Sequence, residues 1–228
     1  MPETAGDTTT EEESPSQASR RKSQSRLIAI AVSGSTNNAL LTSIVPLFLL
    51  SLGASPFVIG IAATSNHIQK MGRVVGLQFM HRTGKAGLFF WGRLGSLPAG
   101  IALALLAYQG GAGVWAAWIG LAVFSIRGTV QQMGNTAWWP LVQDNTASGS
   151  IGSFLTRMRL QQRLLELALP LLVGWYLGSQ PTANHFALPF ALALFSTFAG
   201  AFLARGVAEK AQPVINEGLL PRLRQVIA

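Results

Sequence analysis

The chain has 228 residues, of which 49% are hydrophobic and only 11% charged, and its formal net charge is +8. Soluble domains carry roughly 25% charged residues, so apolar runs this long and this poor in charge exclude an ordinary soluble domain. Cysteine is absent, which excludes disulfides and thiolate metal sites.

Residues 1–26, MPETAGDTTTEEESPSQASRRKSQSR, are rich in Ser, Thr and Glu and lack aromatics, so they read as a disordered cytoplasmic tail. Arg20, Arg21, Lys22 and Arg26 imitate the n-region of a signal peptide. The apolar segment after them is too long for an h-region and has no clear cleavage site, so it reads as an uncleaved first span.

Six apolar segments follow, each near the ~20 residues that a helix needs to cross a ~30 Å hydrocarbon core. Lipid offers no partner to open backbone groups, so the spans are expected to be helices, and the runs are too long for barrel strands. The first, Leu27–Leu52, places Ser35, Asn38 and Thr42 on one face, with Asn37 beside them. The second, Pro56–Met80, sets Asn66, Lys70 and Arg73 at i, i+4 and i+7, with His67 adjacent. The third, Leu88–Tyr108, is almost wholly apolar, and Arg93 near its cytoplasmic end is expected to snorkel.

The fourth, Gly113–Trp138, carries Arg127, Gln131 and Asn135 at helical spacing. The fifth, Phe154–Gly178, carries Arg159, Arg163 and Glu166, and the sixth, His185–Arg205, is apolar apart from Ser196 and Thr197, which can bond to their own backbone. Gly72…Gly76 and Gly174…Gly178 match the small-xxx-small pattern of close helix packing. The tryptophans fall near span ends and suit an interfacial belt. Residues 206–228 read as a cytoplasmic linker or C-terminal tail.

Between Leu27 and Arg205 the acids are Asp144 and Glu166 alone, and the remaining charge is Lys and Arg. The connections SLGAS, QGGA and SQPTAN carry no charge, whereas the alternate ones all carry Lys or Arg. The positive-inside rule therefore places both termini in the cytoplasm. The same distribution accounts for the basic balance by topology, so no nucleic-acid partner is expected. HExxH, P-loop and nucleophile-elbow motifs are missing, which argues against an enzyme, and no cofactor or metal is expected.

The hairpin containing His81, Arg82, Gly84 and Lys85 resembles the loop signature of the major facilitator superfamily, Gly-x-x-x-Asp-Arg-x-Gly-Arg-Arg, with His81 at the aspartate position. The turn LGASPFVIG, Arg127 followed by Gln131, and AWWPLVQD followed by GSFLTRMR are similar to other family elements. The resemblance implies one six-helix half of a transporter working by alternating access in the cell membrane, and the family's spread suggests a bacterial inner membrane. It further implies a second half or second copy, a gating role for the hairpin, and a central cavity faced by spans 1, 2, 4 and 5, with 3 and 6 outside.

Lys70, Arg127 and Glu166 fall near the expected midplane, where each costs about 2.5–3.5 kcal/mol if it faces lipid. They are therefore expected to face a shared wet interior. Glu166 is expected to neutralise Arg127 or Arg163, leaving Lys70 uncompensated and favouring an anionic solute. Asn38, Lys70, Arg127, Gln131 and Glu166 form the expected site. The competing reading is a scaffold, sensor or partner subunit that no longer transports.

Overall fold

In a computed structural model that describes residues 17–110, 113–146 and 151–209, all regular secondary structure is helical. The first helix, α1, runs from Gln17 to Ser51. At ~1.5 Å per residue its 35 residues extend about 52 Å, well beyond a ~30 Å hydrocarbon core. The tail expected to stay unstructured up to Arg26 is thus helical from Gln17. Its Arg, Lys and Gln residues are good helix formers and simply extend the apolar helix that follows. The rest of that tail lies outside the described residues. At its other end α1 stops at Gly53, whose φ of 84° is left-handed. Gly53 N donates to Leu50 O and Ala54 N to Leu49 O, which is a Schellman closure.

The second expected span is broken into α2 (Pro56–Gln69) and α3 (Gly72–Thr83). Lys70 N and Met71 N bond three residues back, to His67 O and Ile68 O, so the turn is wound more tightly than an α-helix. The third span divides into α4 (Lys85–Gly95) and α5 (Leu97–Tyr108). Here Pro98 supplies no N–H to the preceding turn, and Ser96 Oγ bonds to Arg93 O at 2.7 Å. Next come α6 (Val114–Asn135), the short α7 (Trp138–Asn145) inside what the sequence suggested was a loop, and α8 (Ile151–Leu177). A 3₁₀ turn at Ala183–Phe186 leads into α9 (Ala187–Ala204). His185 closes a capping box with Thr182 there.

Three helical stretches, Lys22–Ser51, Lys85–Tyr108 and Ala183–Ala204, are long and apolar enough to cross a membrane by length and composition. The sequence suggested six. The other three fall short for visible reasons: α2 and α3 are separate helices of 14 and 12 residues. In α6, Arg127, Gln131 and Gln132 dilute the apolar surface, and Arg157, Arg159, Arg163 and Glu166 do so in α8.

Two apolar clusters hold the bundle. One surrounds Phe48, whose ring lies 5.1 Å from Phe190 and 5.6 Å from Phe186, with Leu40, Ile44, Leu103 and Leu121. The other joins Leu27, Ile30, Phe89, Leu141 and Val142. Between them on α1 lie Ser33, Ser35 and Asn37, all buried. A polar band therefore crosses the interior between two greasy layers. α1 sits centrally, packing on α9 and α8, while α6 gathers α2, α3, α4 and α5.

Small residues decide how closely α6 is approached. A Cβ added at Gly72 would meet Thr129 O at 2.5 Å, and one at Gly76 would run into Met133 O. A Cβ at Gly92 would run into the backbone of Gly134. The Gly72…Gly76 pattern is thus a packing stripe. Gly174…Gly178 is not one within this chain: a Cβ at either would meet nothing, and Gly178 serves instead as a left-handed residue with φ of 67° just after α8.

Candidate functional site

The polar band opens into a cleft of about 290 Å³. From α1 it receives Ser35, Asn37, Asn38 and Thr42; from α2 and α3, Asn66, Gln69 and Arg73; from α6, Arg127, Gln131, Gln132 and Asn135; and from α8, Gln162 and Glu166. The face read from the first segment is there whole, as are Asn66 and Arg73 from the second, Arg127, Gln131 and Asn135 from the fourth and Glu166 from the fifth. Arg159 and Arg163, read on the same face as Glu166, do not line the cleft, whereas Gln69, Gln132 and Gln162 do. Trp138 and Trp139 also line it, instead of serving only an interfacial belt.

Arg127 is 2% exposed. Its Nη2 donates to Asn37 Oδ1 at 2.7 Å and to Thr197 Oγ1 at 3.1 Å, and its Nη1 donates to Gln131 Oε1 at 3.3 Å. Asn37 Nδ2 donates to the same Gln131 oxygen at 3.3 Å, and Thr197 Oγ1 donates to Asn37 Oδ1 at 3.0 Å. The guanidinium is thereby locked to α1 and α9 by neutral groups. They orient its charge without cancelling it.

The third and sixth segments were expected to contribute nothing. Both do. Arg93 on α4 is 3% exposed and lines the cleft instead of reaching outward. It lies about 12 Å along the helix axis from Lys85, too deep to snorkel to that end. Its Nη1 donates to Ser33 Oγ at 3.1 Å, and its guanidinium carbon sits 4.7 Å from the centre of the Phe89 ring. Glycines make the room: a Cβ at Gly34 would come within 2.9 Å of Arg93 Nη2, and one at Gly200 would run into Nη1. Ser196 Oγ donates to Ser33 O at 2.6 Å, which fastens α9 to α1 beside it. Ser196 thus bridges to another helix instead of bonding to its own backbone, while Thr197 has a local acceptor in Ala193 O as well as its partners on α1 and α6.

Lys70 was expected in the site, and the structure places it elsewhere. It is exposed and outside the cleft lining. The lining face of this region runs through Asn66, Gln69 and Arg73, at i, i+3 and i+7, and Lys70 falls to one side of it. Arg73 Nε donates to Gln132 Oε1 at 2.9 Å. Asn38 is exposed within the cleft, and Gln131 is half-buried. Glu166 bonds Arg163 Nη1 at 2.9 Å, the second of the two partners expected for it, and not Arg127. Uncompensated charge is therefore carried by Arg127 and Arg93.

In the hairpin, His81 and Arg82 are exposed at the end of α3, and Gly84, with φ of 73°, turns the chain into α4. Lys85 differs from its neighbours. It is buried and forms an ion pair with Asp144 at 2.6 Å, tying α4 to α7. Glu209 Oε2 accepts from Ala86 N at 2.8 Å, placing negative charge at the N-terminus of α4.

Among the described residues the ion pairs are Lys85–Asp144 and Arg163–Glu166. The cleft wall thus presents the guanidiniums of Arg73, Arg93 and Arg127 against the single carboxylate of Glu166, itself engaged by Arg163. Such a surface attracts anions and repels cations. Among the described residues no cluster of His, Asp or Glu is able to hold a metal ion. No family model, curated protein or solved structure matches the chain.

Proposed function

We propose that this chain is a membrane transporter, or one half of one, that moves a small polar solute by alternating access. The observation that carries this reading is the cleft: amides and unneutralised guanidiniums gathered between two apolar layers of one helical bundle. Holding such groups at depth is costly unless they meet water or a ligand. A wall that merely stabilised the fold would do better with apolar side chains of similar volume.

In the same reading all six rods cross the bilayer, α2–α3 and α4–α5 each forming one broken span, with both termini cytoplasmic. Broken helices at mid-depth are tolerated where they line a cavity, as α2–α3 does. The arrangement is that of a major-facilitator-type half, supported by the hairpin signature and by the helices that line the cleft. α8 buries only Phe154, Met158, Val173 and Leu177, and α2 only Val58, Ala62, Ser65 and Gln69. These two helices are the edges on which a second bundle, from another copy or another polypeptide segment, would close the cavity.

The test is uptake into proteoliposomes of a labelled panel: phosphate, short-chain carboxylates, amino acids and a neutral sugar. Saturable uptake of one class, lost in Gln131→Leu, is the expected result. Failure to move any of them, with correctly inserted protein, would favour the scaffold or partner-subunit reading.

A further inference from the structure

We infer that Arg93 and Arg127 together form the anion-binding subsite of the cleft, taking the carboxylate or phosphate group of the solute. The inference rests on the proposed role of the cleft as the solute path and specifies what is recognised there.

Both guanidiniums are more than nine-tenths buried, and among the described residues neither has a carboxylate within ion-pair distance. Both line the same cleft. Two like charges buried in the wall of one cleft constitute an arrangement that a counter-charge relieves. Among the described residues the one acid on the wall, Glu166, is already engaged by Arg163.

The donors are arranged for capture as well. Arg127 spends its bonds on Asn37, Thr197 and Gln131, which fix the plane of the fork. Arg93 is fixed by Ser33 and by the Phe89 ring, yet its Nε is buried with no hydrogen-bond partner among the described residues. An orphaned charged donor in a pocket is costly, and an oxyanion satisfies it in the geometry that guanidinium forks favour. Glycine at positions 34 and 200 preserves the space that the Arg93 head occupies. A cavity of about 290 Å³ has room for a small organic anion. The amides beyond the arginines both donate and accept, matching hydroxyl groups on the remainder of such a molecule.

The test uses the full-length chain purified in detergent. Trp138 and Trp139 line the cleft, so intrinsic fluorescence reads occupancy. Sodium phosphate, sodium acetate and glucose are titrated separately, with ionic strength held constant by sodium chloride. The expected result is a saturable response to phosphate or acetate and none to glucose; which of the two anions gives it identifies the group. Arg127→Gln and Arg93→Gln should weaken it by about tenfold or more, as loss of a charge-assisted pair does. Asn37→Asp, which is nearly isosteric, gives Arg127 an internal counter-ion and should abolish the response in a chain that remains folded. Absence of a saturable anion response in the wild type, or full retention in Asn37→Asp, overturns the subsite. Anion binding by a chain that moves nothing in vesicles would sink transport and leave the subsite standing. Sugar uptake without anion binding would do the reverse.

Discussion

Arg127 and Asn37, 90 positions apart in the chain, are joined by a 2.7 Å hydrogen bond that ties α6 to α1 inside the polar band. Asn37 Oδ1 also receives the hydroxyl of Thr197, so one amide oxygen is the meeting point of three helices.

Removing that oxygen takes away the nearer of the two acceptors of Arg127 Nη2, leaving one N–H of a buried charged group unsatisfied. Asn37→Leu is therefore expected to destabilise the protein by about 2–3 kcal/mol, the cost of an unsatisfied buried group near a charge. Thermal unfolding in detergent should show a midpoint several degrees lower. An unchanged midpoint would mean that water replaces the amide freely.

The Lys85–Asp144 pair makes a second prediction. Its side chains are only 10% and 13% exposed, so it is not a surface pair of marginal value. Lys85→Ala or Asp144→Ala alone leaves one buried charge and is expected to cost about 3–5 kcal/mol. The double variant Lys85→Met/Asp144→Leu should recover much of that loss. A double-mutant cycle with no coupling would show that α4 and α7 are held by other contacts.

Close helix contact supplies a third. Gly92→Ala would push a methyl group into the backbone of Gly134, and neither backbone can rotate away as a side chain can. A loss of roughly 1–3 kcal/mol is expected. Gly152→Ala and Gly174→Ala, where an added Cβ would meet nothing, serve as controls and should be neutral or slightly stabilising. Equal behaviour of Gly92 and the controls in thermal unfolding would contradict the α4–α6 packing described above.

The sequence was most informative where polar residues recur with helical period. Asn38 and Thr42, Arg127 and Gln131, and Glu166 all line the cleft as their spacing suggested. Lys70 was misplaced because helical spacing alone does not choose between i+3 and i+4. Asn66, Gln69 and Arg73 share a helical face as readily as Asn66, Lys70 and Arg73, and it is the first set that lines the cleft. Arg93 was missed for a different reason. A lone arginine in an apolar span has no periodic companion, and its partners, Ser33 and Phe89, come from another helix and from its own preceding turn. The glycines that make room for it, Gly34 and Gly200, lie on α1 and α9, so nothing in its own segment marked it. Asp144 lay in a stretch that read as a loop, so its pairing with a helix-start lysine needed the tertiary fold.

The central claim is that the polar face of α1 turns toward water inside a membrane-embedded bundle. Because the chain has no cysteine, single cysteines report on this without background. Asn38→Cys lies in the cleft, and Phe195→Cys lies on the outer face of α9, where the native ring is 71% exposed. In native membranes, a membrane-impermeant maleimide applied to both sides should label Asn38→Cys readily and leave Phe195→Cys unmodified. If Asn38→Cys proved as inert as Phe195→Cys, the wet cleft would be refuted; if both reacted alike, the bundle would not be embedded in lipid.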